Sequence, residues 1–314
     1  MNSLVLASLS LPNLVSRLPG GVAQGIIWGI MALGVYITFR LLDVADLTVD
    51  GSFTTGGAVT VMLIIAGWPA WAALLAAVVA GLLAGLVTGL LHTKLGIPAI
   101  LAGILTQFAL YSINLRIMDG ANIPLLRQQT LFTPLRENGL LGTWVGAAIL
   151  LGVVLVLGLV VVWFLTTDLG LSIRATGDNG PMLTSFGVST DYTKTLTLAL
   201  SNGFVGMCGA LVGQYQGFAD ISMGIGLILV GLASVIMGQA ILGQRFLWLA
   251  VLAVIVGAVL YRIIIFLALQ VGLDPNDMKL ITALLVIVAL LVPRWKGLTS
   301  RFRPAAATGA KVAA

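Results

Sequence analysis

What most limits the fold of this chain is a succession of apolar runs, each near the length of about 20 residues that carries a helix across the hydrocarbon of a bilayer. In order they are roughly 20 to 42, 52 to 67, 69 to 92, 97 to 117, 140 to 166, 191 to 216, 227 to 243, 246 to 271 and 277 to 293. Hydrophobic residues make up 59% of the 314 positions and charged residues 9%, with a mean hydropathy of +1.11, well outside the range of a water-soluble domain. The expected fold is an all-α polytopic membrane protein: a single transmembrane domain over 1–314, with about nine spans.

Charge sets the expected orientation. The net charge of +5 and pI near 9.7 would suggest nucleic acid in a soluble protein. Here Arg294, Lys296, Arg301, Arg303 and Lys311 all follow Pro293, with no acid among them. A basic tail over 294–314 after the last span marks a cytoplasmic end, and no nucleic-acid partner is expected. Counting back from that tail places "HTKLG" (His92 to Gly96), the Ser172 to Ser189 insert and the Arg245 loop inside. The acidic "DPND" loop and the Asp119 to Gly139 connection then lie outside, with Arg127 and Arg136 against the bias. Met1 to Val15 lacks a basic start and a clear cleavage site, so it reads as an interfacial stretch and not a removed signal peptide. A short extra span there is the alternative, making ten and moving the N-terminus inside. With one histidine, His92, and one cysteine, Cys208, neither a disulfide nor a metal centre is expected, and no residue is assigned a catalytic role.

Two stretches resemble each other: "VADLTVDGSFTTGGAVTVM" around Asp46 and "FADISMGIGLILVGLASVI" around Asp220, at an offset of 174 (220 minus 46). At that offset Ala45 meets Ala219, Leu47 meets Ile221, Thr48 meets Ser222, Gly57 meets Gly231 and Thr60 meets Ser234. Five spans, an odd number, fit into one period, so the halves, about 20–117 and 191–293, would run in opposite directions. The span at 140–166 and the loop at 167–190 would link them. Inverted repeats of this kind form transport pathways at the interface of their halves.

Within the repeat, Asp46 and Asp220 lead into spans two and seven, each followed by a hydroxyl, Thr48 or Ser222, and then glycine. A carboxylate at that depth is expected where a broken helix lines a protein-walled cavity and its exposed amides need a cap. The other reading is a cap at the membrane surface. Asp50, next to Gly51, has Gly224 as its counterpart and would serve the first half alone. Gln107, Asn114, Asn202, Gln214 and Gln239 read as interhelical glue, and Gly81, Gly85 and Gly89 as a face for close helix packing. Trp68, Trp71, Trp144, Trp163, Trp248 and Trp295 lie near span ends, as interfacial anchors do.

The insert "SIRATGDNGPMLTSFGVS" stands apart from its oily surroundings. Asp178 or Asn179 can serve as N-cap, Pro181 suits the first turn and Gly187 can close the C-terminus, so a short helix is predicted from Gly180 to Phe186. Met182, Leu183 and Phe186 then share one face, which either lies on the protein's own membrane surface or needs a partner.

"GLSIRATGDNGPMLTSFGVS" resembles the cytoplasmic loop of ATP-binding cassette importer permeases of the branched-chain amino acid and ribose type, matching at Gly170, Arg174, Ala175, Gly177, Asn179, Gly187 and Val188. The paired Ala-Asp motifs and "SNGFVGMCGALVGQYQGFADISMGIG" are similar to that family's broken helices and second-half signature. "LTVDGSFTTGGAV" looks closer to the subgroup paired with binding proteins for aromatic amino acids and similar solutes. The resemblance implies a bacterial inner-membrane permease subunit with a cytoplasmic coupling helix. Its partners would be an ATPase dimer, a second and identical permease chain, an extracytoplasmic solute-binding protein and lipid. The chain has no phosphate-binding loop, so ATP and Mg would belong to the partner ATPase and this chain would hold no cofactor. An ion-coupled secondary transporter is the competing reading, because inverted repeats and intramembrane acids suit that class as well.

Overall fold

A computed structural model of the chain describes residues 11–270 and 277–301. The first ten residues, most of the acidic loop and the end of the basic tail, for which expectations are given above, lie outside the described residues. Each of the nine apolar runs falls in a helix. These are α1 (Leu11–Tyr36), α2 (Thr48–Ile65), α3 (Ala70–Thr93), α4 (Ala99–Met118), α6 (Trp144–Thr166), α8 (Thr190–Gln216), α9 (Leu227–Leu242), α10 (Leu247–Gln270) and α11 (Met278–Arg301). Among the described residues, seven of these are long and apolar enough to cross a membrane; α9 and the apolar part of α11 (Lys279–Ala289) are shorter.

Local chemistry explains the boundaries. Pro69 and Pro98 precede α3 and α4 in extended backbone, where a missing N–H costs the helix nothing. Thr143 caps α6 by accepting from the Gly146 amide, and Ser189 caps α8 through the Tyr192 amide. Gly217, at φ 82°, ends α8 in the left-handed region that glycine enters without steric penalty. The end of α1 loosens into a π-turn over Ile37–Leu41. One feature departs from the all-helical expectation: a short antiparallel ribbon pairs β1 (Asn122–Pro124) with β2 (Phe218–Asp220). A one-turn helix, α5 (Thr133–Glu137), follows β1 in sequence.

Helices α1, α2 and α8 are largely enclosed by their neighbours, whereas α3, α4 and α6 leave most of their apolar surface outward, as lipid-facing helices do. The most extensive seam is between α3 and α8. A Cβ at Gly81 or Gly85 would fall on the Asn202 or Leu198 carbonyl, and one at Gly89 would crowd Thr195, so the glycine stripe is what lets α8 approach. The packing carries an internal correspondence. Helix α8 lies on α2 and α3, and α1 lies on α9 and α10, which is the same arrangement with the first helix of each half exchanged. Contacts match residue by residue at the 174 offset: Gly81 meets Gly203 as Ile255 meets Gly29, and Gly57 meets Gly209 as Gly231 meets Val35. Five of the tryptophans named above, Trp68, Trp71, Trp144, Trp163 and Trp248, are more than half exposed at helix ends.

Candidate functional site

The two aspartates of the repeat occupy unlike places. Asp46 precedes α2 and is buried; its Oδ1 accepts from the Thr48 amide at 2.9 Å and its Oδ2 from Asn202 Nδ2 at 2.6 Å. Asn202 stands near the middle of the 27-residue α8, so Asp46 lies deep among the helices. Asn202 also takes a hydrogen bond from Ser52 Oγ at 2.7 Å, and Thr48 joins Thr88 and Thr106 in a hydroxyl chain linking α2, α3 and α4. Asp220, by contrast, sits in β2 just past the end of α8. It accepts from the Ser222 amide and hydroxyl and from Asn122 Nδ2 of the facing strand. Partial burial pushes the Asp220 carboxyl up, but these donors outweigh that and hold it below the usual carboxylate range.

Asp50 does not serve the first half alone. From α2 its carboxylate reaches the start of α9, accepting from the Gly226 amide at 2.7 Å and the Ile228 amide at 3.0 Å. It therefore caps a helix of the other half, which has no capping side chain of its own; Gly226 occupies that position at φ 86°. The approach is possible because its counterpart, Gly224, has no side chain: a Cβ there would meet the Asp50 carbonyl.

Beside this cap lies a cavity of about 330 Å³ between α2, α4 and the turn before α9. Asp50, Thr54, Gln107, Tyr111 and Asn114 supply its polar groups, while Phe108, Ile221 and Ile225 add apolar wall. Asn114 is fully buried, yet neither atom of its amide has a partner among the described residues. An unpaired buried amide costs about 1–3 kcal/mol per group, which makes such a position a candidate for a ligand or water. Reading the in-span amides alike as glue therefore needs correction. Asn202 fills that role, whereas Asn114 and Gln107 border a cavity, and Gln214 bonds the Leu131 amide of the outer connection through Oε1 alone. Position along the sequence could not separate them, because the difference lies in which helix each one faces.

The polar insert forms α7 (Asp168–Ser185), broken at Asn179, whose φ of −157° and ψ of 82° are not helical. Asn179 Oδ1 accepts from the Met182 amide at 3.1 Å, with Pro181 in the first turn, so the second piece is a short capped helix of its own. It ends at Gly187, φ 82°, after amides 186 to 188 fold back onto Leu183 and Thr184. Leu183 turns inward and is buried; Met182 and Phe186 stay outside, Phe186 with 75% of its surface exposed. The helix upstream, over 168 to 178, gave no sequence signal above its polar composition. Thr167 caps it through the Gly170 amide, and Thr176 ties it to Thr193 of α8 at 2.8 Å. Gly177 seats it on the end of α1, where a Cβ would overlap the Leu41 carbonyl. Arg174 and Asp178 line a polar cleft there.

Residues 18–291 match the family described as the branched-chain amino acid transport system permease component. The chain belongs to this permease family. It is similar to a tyrosine transport system permease protein of Clostridioides difficile (strain R20291), with 39% identity over 86% of this chain and 88% of the relative. It is likewise similar to the uncharacterized protein RP368 of Rickettsia prowazekii (strain Madrid E), with 34% identity over 85% and 94%. No solved structure gives a significant match. As a permease-family member with seven membrane-length helices among its described residues, the chain is a multi-pass membrane protein and a transport component.

Proposed function

We propose that this chain is the permease subunit of an ATP-driven importer for an amino-acid-like solute. It works as a pair of identical chains above two ATPase subunits, which bind ATP and Mg, and an extracytoplasmic binding protein delivers the solute. The C-terminus is cytoplasmic and the halves form an inverted repeat, a reading supported by the contacts that recur at the 174 offset. The observation that carries the importer reading is the short helix after Asn179. It is capped, closed and set off from the first part of α7 by the break at Asn179, and it leaves Met182 half exposed and Phe186 largely exposed. A side chain as large as Phe186 is costly to leave in water, and an ATPase groove would cover it.

On this reading, closure of the ATPases on ATP moves the Gly180 to Phe186 helix and tilts the two chains of the pair against each other, opening the pathway to each side in turn. The cavity bordered by Asp50, Gln107, Tyr111 and Asn114 is the stretch of pathway wall that meets solute. Amide and carboxylate groups suit an amino acid's polar end, and Tyr111 and Phe108 suit an apolar or aromatic body. The permease relative from Clostridioides difficile, with tyrosine in its name, agrees with that chemistry.

An ion-coupled carrier would use Asp46 or Asp220 to hold a proton or sodium ion. Both carboxylates are already engaged with capping amides and side-chain donors, which favours a structural role. Vesicles carrying the chain and its ATPase, with ATP inside and no ion gradient, decide between the two. Accumulation of solute supports the importer. Accumulation that needs a gradient and ignores ATP defeats it.

A further inference from the structure

A second cleft, of about 460 Å³, lies where the π-turn of α1, the first part of α7 and the connection from α9 to α10 converge. Tyr36, Arg40, Arg174, Asp178, Gln244 and Arg245 line it. Three guanidinium groups face one carboxylate, a surplus of positive charge in a recess with no assigned occupant. Arg40 is held by a neutral partner: its Nε and Nη2 both donate to Gln244 Oε1, at 2.9 and 2.7 Å, which fixes the guanidinium without neutralising it. Arg245 rests on the Phe246 ring, 5.8 Å from its centroid. Among the described residues Arg174 forms no hydrogen bond or ion pair. The backbone arranges the cluster, since Gly177 lets α7 close on Leu41 and Gly243, at φ 79°, turns the chain so that Gln244 and Arg245 face it.

The depth of the cleft points to the kind of anion. It sits at the end of α1 and the start of α10, two helices of membrane-spanning length. Beside it Phe246 and Trp248, both more than half exposed, stack at a centroid distance of 6.4 Å. Exposed aromatics at the start of a span mark the level of lipid headgroups. Arginine forks match phosphate oxygens in geometry, and basic recesses between spans bind anionic headgroups. We propose that this cleft binds a phosphate ester, supplied by an anionic membrane lipid, and that the bound headgroup clips the end of α1, α7 and the α9 to α10 connection together. The occupant would then set how firmly α7, and with it the helix after Asn179, is tied to the membrane domain. The binding itself does not depend on what docks there.

The test uses the purified full-length chain in neutral detergent, with phosphatidylglycerol, phosphatidylcholine or inorganic phosphate as probes. Native mass spectrometry reads retained lipid and thermal unfolding reads stabilisation. The expected result is retention of phosphatidylglycerol over phosphatidylcholine. In the Arg174→Gln/Arg245→Gln double variant that retention should fall about tenfold, while Lys94→Gln, outside the cleft, leaves it unchanged. An Arg174→Lys/Arg245→Lys variant, which keeps charge but loses the fork, should fall between, so the proposal stays testable if the glutamine variant folds poorly. Equal retention by wild type and a folded double variant would overturn it. Stabilisation by inorganic phosphate equal to that by phosphatidylglycerol would overturn the lipid source. A double variant that keeps its lipid but loses co-purifying ATPase would show that the arginines serve a protein contact instead.

Discussion

Asp50 offers the sharpest test of the geometry, because one carboxylate in the first half holds the start of a helix in the second. Its two acceptor bonds reach the Gly226 and Ile228 amides at 2.7 and 3.0 Å. Hydrogen bonds to an ionised group contribute about 1.5–3 kcal/mol each, and loss of a cap costs about 1 kcal/mol. In Asp50→Ala the buried Ile228 amide loses its partner outright, while cavity water can still reach Gly226. The combined cost is therefore about 2–4 kcal/mol. At roughly 2 °C per kcal/mol for a chain of this size, the unfolding midpoint should drop by about 4–8 °C. Asp50→Asn keeps one acceptor and should lose about half as much. The assay is tryptophan-fluorescence melting of the purified chain in detergent, with the two variants side by side. A midpoint for Asp50→Ala within about 1 °C of wild type, or an asparagine variant as damaged as the alanine one, would refute the idea that this carboxylate anchors α9.

Other outcomes follow from the same contacts. Gly85→Leu would drive a side chain into the Leu198 carbonyl, so it should abolish folded protein in a size-exclusion profile, whereas Gly152→Leu, on α6 with open space around it, should not. Phe186→Asp should leave membrane insertion intact and remove co-purifying ATPase; if the ATPase stays and solute still stimulates its hydrolysis, the docking assignment is wrong. The Asp220 carboxyl is held below its unfolded value, so the stability it adds is full above the unfolded pKa of about 3.9 and is lost as pH falls through the folded one. The melting difference between wild type and Asp220→Asn should accordingly shrink on acidifying from pH 6 to pH 3; a constant difference would refute the paired carboxylate. With Cys208 replaced by Ala, single cysteines at Asp43 and Ser222, both exposed, should prefer an impermeant reagent from opposite faces, and labelling from one face would end the inverted-repeat reading.

Helix positions were legible because hydrophobic length and proline or glycine punctuation are local properties. Pro69, Pro98 and Gly217 lie at boundaries that the apolar runs mark on their own. The Gly81 to Gly89 stripe was legible for the same reason, since glycines four apart share one helix face whatever that face meets. The helix after Asn179 could be read from its cap, its proline and its closing glycine. What could not be read was partnership across the halves. Nothing near Asp50 announces that its acceptors are spent 176 positions away, and Asn114 differs from Asn202 only in the helix it faces. The direction of Leu183, buried while Met182 and Phe186 are exposed, also escaped, because a wide apolar stripe on a two-turn helix does not say which edge the protein keeps for itself.

The aspartates also constrain how the halves could move. Asp46 of the first half is bound by Asn202 of α8, and Asp50 caps α9, so both carboxylates fasten first-half backbone to second-half helices. Helix α3 lies along α8 with glycines that admit no gap, and Gly25 lies as closely on Val259 of α10. A rocking motion that parted the halves along these seams would strand buried carboxylates without their donors, at several kcal/mol each. The seam should therefore travel as one body, and relative motion falls to what is less firmly held. Helix α4 qualifies, since among the described residues it is joined to α3 by the single Thr88–Thr106 hydroxyl bond and not by a buried carboxylate, and it carries an outward apolar face and an unpaired Asn114 on the cavity. So does the connection through α7, whose break at Asn179 supplies a hinge. In that picture the deep carboxylates are latches within each chain, and a substitution at Asp46 or Asp50 should lower stability and transport together, while one at Asn114 should change transport and leave the melting point in place or raise it.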